Sequence, residues 1–178
     1  MTLSGRLLPI RHMASLYNPA AWSTFFSAET SASAALVGLL FVAVSINLTQ
    51  IIAMRQLVAR AAKALFLLAG VLLSSILCLV PGQPPALLGM ELTAVALLIL
   101  VATTRAEYVA SHKNAYIGKK ARVFQVVLNQ LSALPLIVCG ISLIARFDGG
   151  LYWFVMGSIF SFIAALIDAW VLLIEIQR

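Results

Sequence analysis

Three acidic residues lie inside long apolar segments of this sequence, where an ionised side chain is costly: Glu29, Glu91 and Asp168. An Asp at the centre of a membrane helix costs about 2.5–3.5 kcal/mol on insertion scales. Such groups usually face protein or water, and they often mark paths for ions or protons. The candidates for a polar core or an ion path are these carboxyl groups and three amide side chains, namely Asn47, Asn129 and Gln130.

Depth along the apolar segments divides these residues into two groups. Asp168 is predicted near the inner side of a membrane, together with the three amides, and Glu91 and Glu29 are predicted toward the outer side. Glu29 is expected to be almost interfacial, whereas Glu91 is better placed to be buried. Asp168 is therefore the acidic residue to mutate first.

Polar and small residues also share helical faces. Glu29 and Asn47 are separated by about five full turns at 100° per residue, so they lie on one face, which is apolar in its middle. Similar stripes join Gly157, Ser161 and Asp168, and join Lys63 with Gly70. Two interpretations remain open: the stripes line a water-containing path, or they are packing seams in which small residues allow close helix contact.

The sequence offers few other groups for chemistry. His12 and His112 lie outside the apolar segments, and there is no HExxH, P-loop or GxGxxG motif. Cys78 and Cys139 do not form a metal or redox motif; a disulfide between them is conceivable, but buried cysteines are commonly small apolar residues. We expect no enzymatic activity, no metal and no cofactor.

Composition explains why these groups must be considered in a bilayer. The 178 residues are 62% hydrophobic and 10% charged, with a mean hydropathy of +1.04. A soluble domain is about 45–50% apolar and about 25% charged. This excludes an ordinary soluble enzyme, a disordered tail and a secreted disulfide scaffold.

Five segments are long enough to cross a hydrocarbon core of about 30 Å. They predict an all-α membrane bundle in a single transmembrane domain, residues 28–178, preceded by an N-terminal interfacial segment, residues 1–27. Asn18 and Pro19 resemble a helix start, and no cleavable signal peptide is expected. The predicted spans are approximately residues 28–52, 62–80, 86–104, 123–145 and 151–174.

Lysine and arginine are concentrated in alternate links, which sets the expected orientation. Arg55, Arg60 and Lys63 are assigned to the first link, whereas the proline-rich second link has no basic residue. The pattern favours an outside N-terminus and a cytoplasmic C-terminus. The long third link is expected to contact anionic lipid headgroups, at about 1 kcal/mol per basic residue. Its basic residues are Arg105, Lys113, Lys119, Lys120 and Arg122.

The first apolar segments carry a family resemblance. The residues from Trp22 to Phe26 and from Ala34 to Leu48, the basic first link and the Leu79-Val80-Pro81 ending resemble a family of small bacterial multi-pass membrane proteins. Some members are described as modulators of a membrane-bound ATP-dependent protease. The resemblance covers mainly the first two helices, implies a bacterial inner membrane and supplies no catalytic residues.

These observations support two functional hypotheses. The first is a non-enzymatic structural or regulatory subunit that acts through helix–helix contacts in a homo-oligomer or a larger membrane complex. The alternative is a small homo-oligomeric ion channel, or a proton or cation pathway, that uses the intramembrane carboxylates and amides. The net charge of +6 is explained by membrane topology, so no nucleic-acid partner is expected.

Overall fold

The computed structural model describes the backbone of residues 22–111, 119–147 and 149–176, and the side chains of residues 22–108, 123–147 and 149–174. Within this part of the chain every regular element is an α-helix. The elements are α1 Ser23–Ile46, α2 Leu48–Ala53, α3 Arg55–Leu79, α4 Pro85–Ser111, α5 Lys119–Ala145 and α6 Gly150–Ile176.

The predicted all-α class with five membrane spans is confirmed. Five of the described helices are long and apolar enough to cross a bilayer. They extend beyond several of the predicted bounds, because charged residues that were assigned to links continue the helices. Thus α3 begins at Arg55 instead of residue 62, and α4 continues to Ser111 instead of residue 104.

The predicted first span, approximately residues 28–52, is divided into two helices in the structure. Helix α1 ends at Ile46, and Asn47 turns its side-chain amide back to donate a 3.0 Å hydrogen bond to the Ala43 carbonyl. Such local bonds from Asn compete with the helical ladder. The short helix α2 follows and ends at Ala53, and the extended backbone of Met54 separates it from α3.

Helix α3 lies at the centre of the bundle. It packs against α1, α4 and α6, and α5 packs against α4 and α6. Consecutive spans are antiparallel, and positive φ angles at Gly82 and Gly149 occur in two of the short links. Helices α4 and α5 approach closely at Gly89 and Gly140, where an added Cβ on Gly140 would lie 2.7 Å from the Gly89 carbonyl oxygen.

The two ends of the bundle differ in chemistry. At one end α3 begins and α4 finishes, so Arg55, Arg60 and Arg105 lie there; we call it the basic end. At the other end the rings of Trp22 and Tyr152 meet edge to face at 5.0 Å, and we call it the aromatic end. Aromatic residues of this kind are typical of membrane–water interfaces.

Candidate functional site

A cluster of charged and amide side chains joins four helices near the basic end. It consists of Arg60 and Lys63 from α3, Glu107 from α4, Gln125 and Asn129 from α5, and Asp168 from α6. We call this set the charge cluster. Because α1 contributes no residue to these contacts, the cluster connects the other four membrane-spanning helices and leaves α1 out.

Lys63 is the centre of the charge cluster. Its Nζ atom lies 2.8 Å from Asp168 Oδ2 and 3.1 Å from Glu107 Oε2, so one ammonium group bridges two carboxylates. Arg60 Nη1 lies 3.5 Å from Asp168 Oδ1 on the other side. Lys63 is therefore shared by two carboxylates, and Arg60 forms a second, longer ion pair with Asp168.

Two amides complete the arrangement. Asn129 donates a 2.6 Å hydrogen bond from Nδ2 to Glu107 Oε2, and Gln125 Nε2 lies 3.5 Å from Asp168 Oδ1, at the long limit of a hydrogen bond. Both amides lie on α5. They therefore attach this helix to the ion pairs that α3 makes with α4 and α6.

The charge cluster is buried and neutral in sum. The exposed fractions are 4% for Lys63, 2% for Asp168 and 4% for Asn129, and Arg60 and Glu107 are only slightly more open. Two cations and two carboxylates cancel. This arrangement reduces the penalty of placing charge in an apolar medium, because buried ions are tolerated when they are paired and hydrogen-bonded.

The local sequence explains how a lysine reaches this position. Lys63 occupies the buried face of α3 together with Gly70, Ser74 and Cys78. Its long aliphatic stem can pack among apolar residues while the ammonium group extends toward the helix end. Asp168 lies about 12 Å from the end of α6 at Ile176, at 1.5 Å per residue, so the two groups meet inside the helical bundle.

The interior between the charge cluster and the aromatic end is filled by apolar side chains. Leu67, Val71, Leu92, Leu136 and Phe154 are all 0–1% exposed. The small-residue seam on α6 is part of this packing, because Gly157 contacts Leu136 and Ser161 is fully buried. In the described part of one protomer the stripes therefore serve as packing seams.

The structure brings only two of the six predicted polar-core residues into the charge cluster, Asp168 and Asn129. Asn47 instead bonds to its own helix, and Gln130 is half-buried. Neither of them takes part in the contacts that define the cluster. The structure therefore places Asp168 and Asn129 together and places Asn47 and Gln130 outside this set.

Glu91 lies near the opposite end from Asp168. It is half-buried and accepts a hydrogen bond from Gln83, which belongs to the proline-rich link. Within the described part of one protomer, packed apolar residues separate Glu91 from Asp168. Glu91 is paired with a loop residue rather than buried in the core.

Glu29, which was predicted near the outer interface, lies buried between α1 and α6. It is 7% exposed and lies beside Ser158 in a cavity between α1 and α6. Its Oε2 atom has no hydrogen-bond partner within the described residues. The stripe of Trp22, Phe25 and Phe26 next to it packs against Tyr152 and Phe154 of α6.

The predicted headgroup residues are only partly described. Arg105 is exposed at the end of α4, where it can reach a membrane surface. Lys113 lies outside the described residues. Lys119, Lys120 and Arg122 belong to the first turn of α5, where the structure describes the backbone but not the side chains.

Sequence reasoning missed four members of the charge cluster as site residues: Arg60, Lys63, Glu107 and Gln125. Arg60 and Lys63 were counted as link charges, and Glu107 was placed in the long third link. A signal was present, because Lys63 shares a face with Gly70 and Ser74. A carboxylate inside a membrane bundle, such as Asp168, is commonly paired with a cation on a neighbouring helix.

The two cysteines, Cys78 and Cys139, are free and buried. Among the described residues, no group of three His, Cys, Asp or Glu side chains is arranged to hold a metal ion. The chemistry that the charge cluster itself can perform is ion pairing, hydrogen bonding and the holding of protons on its two carboxyl groups. Comparison with family models, curated proteins and solved structures found no match to this chain.

Proposed function

We propose that this multi-pass membrane protein is a non-enzymatic structural or regulatory subunit, which acts through helix–helix contacts in an oligomer or a larger membrane complex. The proposal rests on a difference between the helices: four of them are joined to one another by buried ion pairs, and α1 is not. The charge cluster joins α3, α4, α5 and α6 through neutralised ion pairs. Helix α1 lies outside this lock.

The burial of the spans supports this division. Within the most apolar window of each helix, 17% of the residues are buried in α1, compared with 50% in α3 and 56% in α5. Leu39 and Ile46 of α1 are 68% and 77% exposed. Either lipid or a helix of another protein surface can cover such residues, and the subunit role assigns part of this face to a protein contact.

An ion or proton pathway is the second candidate. The observation in its favour is that one ammonium group, Lys63, is shared by the carboxylates of Glu107 and Asp168. The apolar packing beyond the cluster opposes continuous conduction through one protomer, since Leu67 and Phe154 are fully buried there. The pathway therefore ranks below the subunit role.

The cell membrane of a bacterium is the proposed location, with the basic end facing the cytoplasm. The support is the clustering of Arg55, Arg60 and Arg105 at one end, together with the family resemblance of the first two helices. Anionic headgroups are proposed to contact this end through Arg105, Lys113, Lys119, Lys120 and Arg122. Accessibility labelling of Arg55→Cys and Lys120→Cys should place both residues on the cytoplasmic side.

The test of the subunit role is a mass measurement of the purified particle in a native detergent. We expect a mass clearly above that of one 19.1 kDa chain, either from further copies or from other chains. A strictly monomeric particle without partners contradicts the proposal. Ion flux in liposomes that disappears in Asp168→Asn, while the variant keeps the wild-type fold and mass, would favour the pathway instead.

A further inference from the structure

A groove runs between α1 and α6, which both pack on α3. Near the aromatic end it contains a cavity of about 330 Å³, lined by Phe25, Glu29, Ser158 and Ile159 among others. A second cavity of about 200 Å³ begins about one turn further along both helices and reaches Asn47 and Leu173. We call the two together the α1/α6 groove.

The length of the groove matches that of a membrane-spanning helix. From Glu29 to Asn47 it covers about 27 Å at 1.5 Å per residue, close to the thickness of a hydrocarbon core of about 30 Å. A lipid chain of one leaflet extends only about half that distance. The groove therefore favours a helix as its occupant.

The groove has polar groups at both ends and is apolar in between. At the aromatic end, Glu29 is more than nine-tenths buried, and its Oε2 atom has no partner among the described residues. At the other end is Asn47, and between them lie Leu36, Leu40 and other apolar residues. Ser158 is hydrogen-bonded to the Glu29 carboxyl group, and an occupant with a polar group at this depth would add a partner for the remaining oxygen.

The outward side of α1 has the matching pattern. It carries Ser27, Ser31, Ala34, Gly38 and Ser45, all exposed, and we call these residues the α1 ridge. Hydroxyl groups stand at both ends and small residues in the middle. A Cβ added to Gly38 would meet nothing within 4 Å, whereas a Cβ added to Gly70 or Gly157 would overlap a side chain of a neighbouring helix.

We infer that the α1 ridge of a second copy of this chain occupies the α1/α6 groove, and this assignment rests on the proposed subunit role. In a copy with the same membrane orientation, Ser27 and Ser31 lie at the depth of Glu29, and Ser45 lies near the depth of Asn47. The small residues Ala34 and Gly38 allow the helices to approach closely in the apolar middle.

The serine hydroxyls suit Glu29 in either protonation state. Ser31 donates at present to the Ser27 carbonyl at 3.0 Å. A hydroxyl is both donor and acceptor, so it can rotate to donate to a carboxylate, or accept from a protonated carboxyl. The ridge and the groove are different surfaces of one chain, so the contact is heterologous; like-oriented copies that repeat it form a ring if the rotation between them closes.

Cysteine cross-linking between two differently tagged copies tests this arrangement. One copy carries a ridge cysteine and the other a groove cysteine at matched depth: Ser31→Cys with Ile159→Cys, or Ser45→Cys with Leu173→Cys. Both groove positions are 48% exposed. The native cysteines are buried, so the unmodified protein serves as the blank.

We expect disulfide-linked pairs from both matched combinations, and little product from the mismatched pair Ser31→Cys with Leu173→Cys. Equal yields from matched and mismatched pairs would overturn the inference. So would a stronger product from Ser31→Cys alone, since this indicates a symmetric ridge–ridge contact. A groove filled by a co-purified lipid, with no matched cross-link, also overturns it.

A second variant tests the close approach. Gly38→Leu should lower the oligomer fraction in native mass measurements by about tenfold or more, because the added side chain separates the helices. Its helicity should be unchanged, since the protomer has open space there. The matched control is Ala94→Leu, which enlarges an exposed residue of α4 outside the ridge and the groove and should leave the oligomer intact.

The outcomes separate this inference from the proposed function. A single copy bound to other chains refutes the ridge-in-groove contact and leaves the subunit role standing. Copies that associate but cross-link elsewhere also refute only the contact. A monomer without any partner refutes both.

Discussion

Asp168 and Glu29 are two buried carboxyl groups that the bundle treats in opposite ways. Asp168 is 2% exposed and faces Lys63, Arg60 and Gln125 from two other helices. Glu29 is 7% exposed, lies beside Ser158 and has one oxygen without a partner in the described structure. One carboxyl group is held by ion pairs between helices, and the other has only the neutral Ser158 hydroxyl beside it among the described residues.

The comparison shows that burial alone does not indicate whether a membrane carboxyl group is neutralised by cations of its own chain. A charge that is neutralised within the chain contributes to the folding of its own bundle. Removing one partner of such an ion pair leaves the other charge buried without compensation. In the proposed ridge-in-groove contact, by contrast, the unpaired oxygen of Glu29 gains a partner on association. Substitutions at the two sites should therefore affect different measurements.

The largest effect is expected from Lys63→Met. The substitution leaves Glu107 and Asp168 facing each other without their shared ammonium group, and removing one partner of a buried pair costs about 3–5 kcal/mol. Unfolding of the detergent-solubilised protein should show the loss directly. Arg105→Met, which removes an exposed cation at the same end, should change stability by less than about 0.5 kcal/mol.

If Lys63→Met and Arg105→Met were equally stable, the charge cluster would not be what locks α3 to α4 and α6. A double variant sharpens the point. Lys63→Met with Asp168→Asn removes one charge of each sign, so it should be more stable than Lys63→Met alone.

A smaller effect is expected from Gly140→Ala at the contact between α4 and α5. The new Cβ would overlap Thr93 and lie 2.7 Å from the Gly89 carbonyl oxygen, and such overpacking costs about 1–3 kcal/mol. Gly38→Ala is the matched control, because its Cβ meets nothing within 4 Å. Equal unfolding midpoints for the two variants would contradict the division into a packed and an open region.

Asn129→Leu should cost about 1–2 kcal/mol. It removes the 2.6 Å hydrogen bond to Glu107, although Lys63 still pairs with that carboxylate, and hydrogen bonds to charged groups contribute about 1.5–3 kcal/mol. The control is Asn47→Leu, whose amide bonds only locally to the Ala43 carbonyl. Chemical denaturation of both variants, measured in parallel, should rank Asn129→Leu as the less stable protein.

The smallest effect on the folding of the protomer is expected from Glu29→Gln. Because the carboxyl has no ion pair among the described residues, its replacement should change protomer stability by less than about 0.5 kcal/mol. Glu29→Leu should instead weaken association about threefold to tenfold, since it removes the polar group from the groove. A large loss of protomer stability in Glu29→Gln would show that Glu29 belongs to the folding core after all.

Much of the fold was predictable from composition and periodicity. The five spans follow from apolar length, and the buried face of α3 follows from the spacing of Lys63, Gly70 and Ser74. The predicted common face of Glu29 and Asn47 is also found, since both residues line the α1/α6 groove. These features depend on local geometry, which the order of the residues specifies.

The charge cluster was predictable only in part. Asp168 and Asn129 were identified because they stand inside apolar segments. Glu107 and Lys63 were not, because a charged residue near the end of an apolar segment has the same local pattern whether it lies in a link or in a helix. Only the packing of α3 against α4 and α6 brings their side chains within ion-pair distance.

The sequence by itself determined the medium, the helical class and the number of spans, because apolar length and the absence of hydrogen-bond partners in lipid leave few alternatives. The tertiary structure decided which charges neutralise one another and which carboxyl is left open. The physical reason is that ion pairing and hydrogen bonding depend on distances of a few ångströms between different helices, and no spacing along one helix sets these distances.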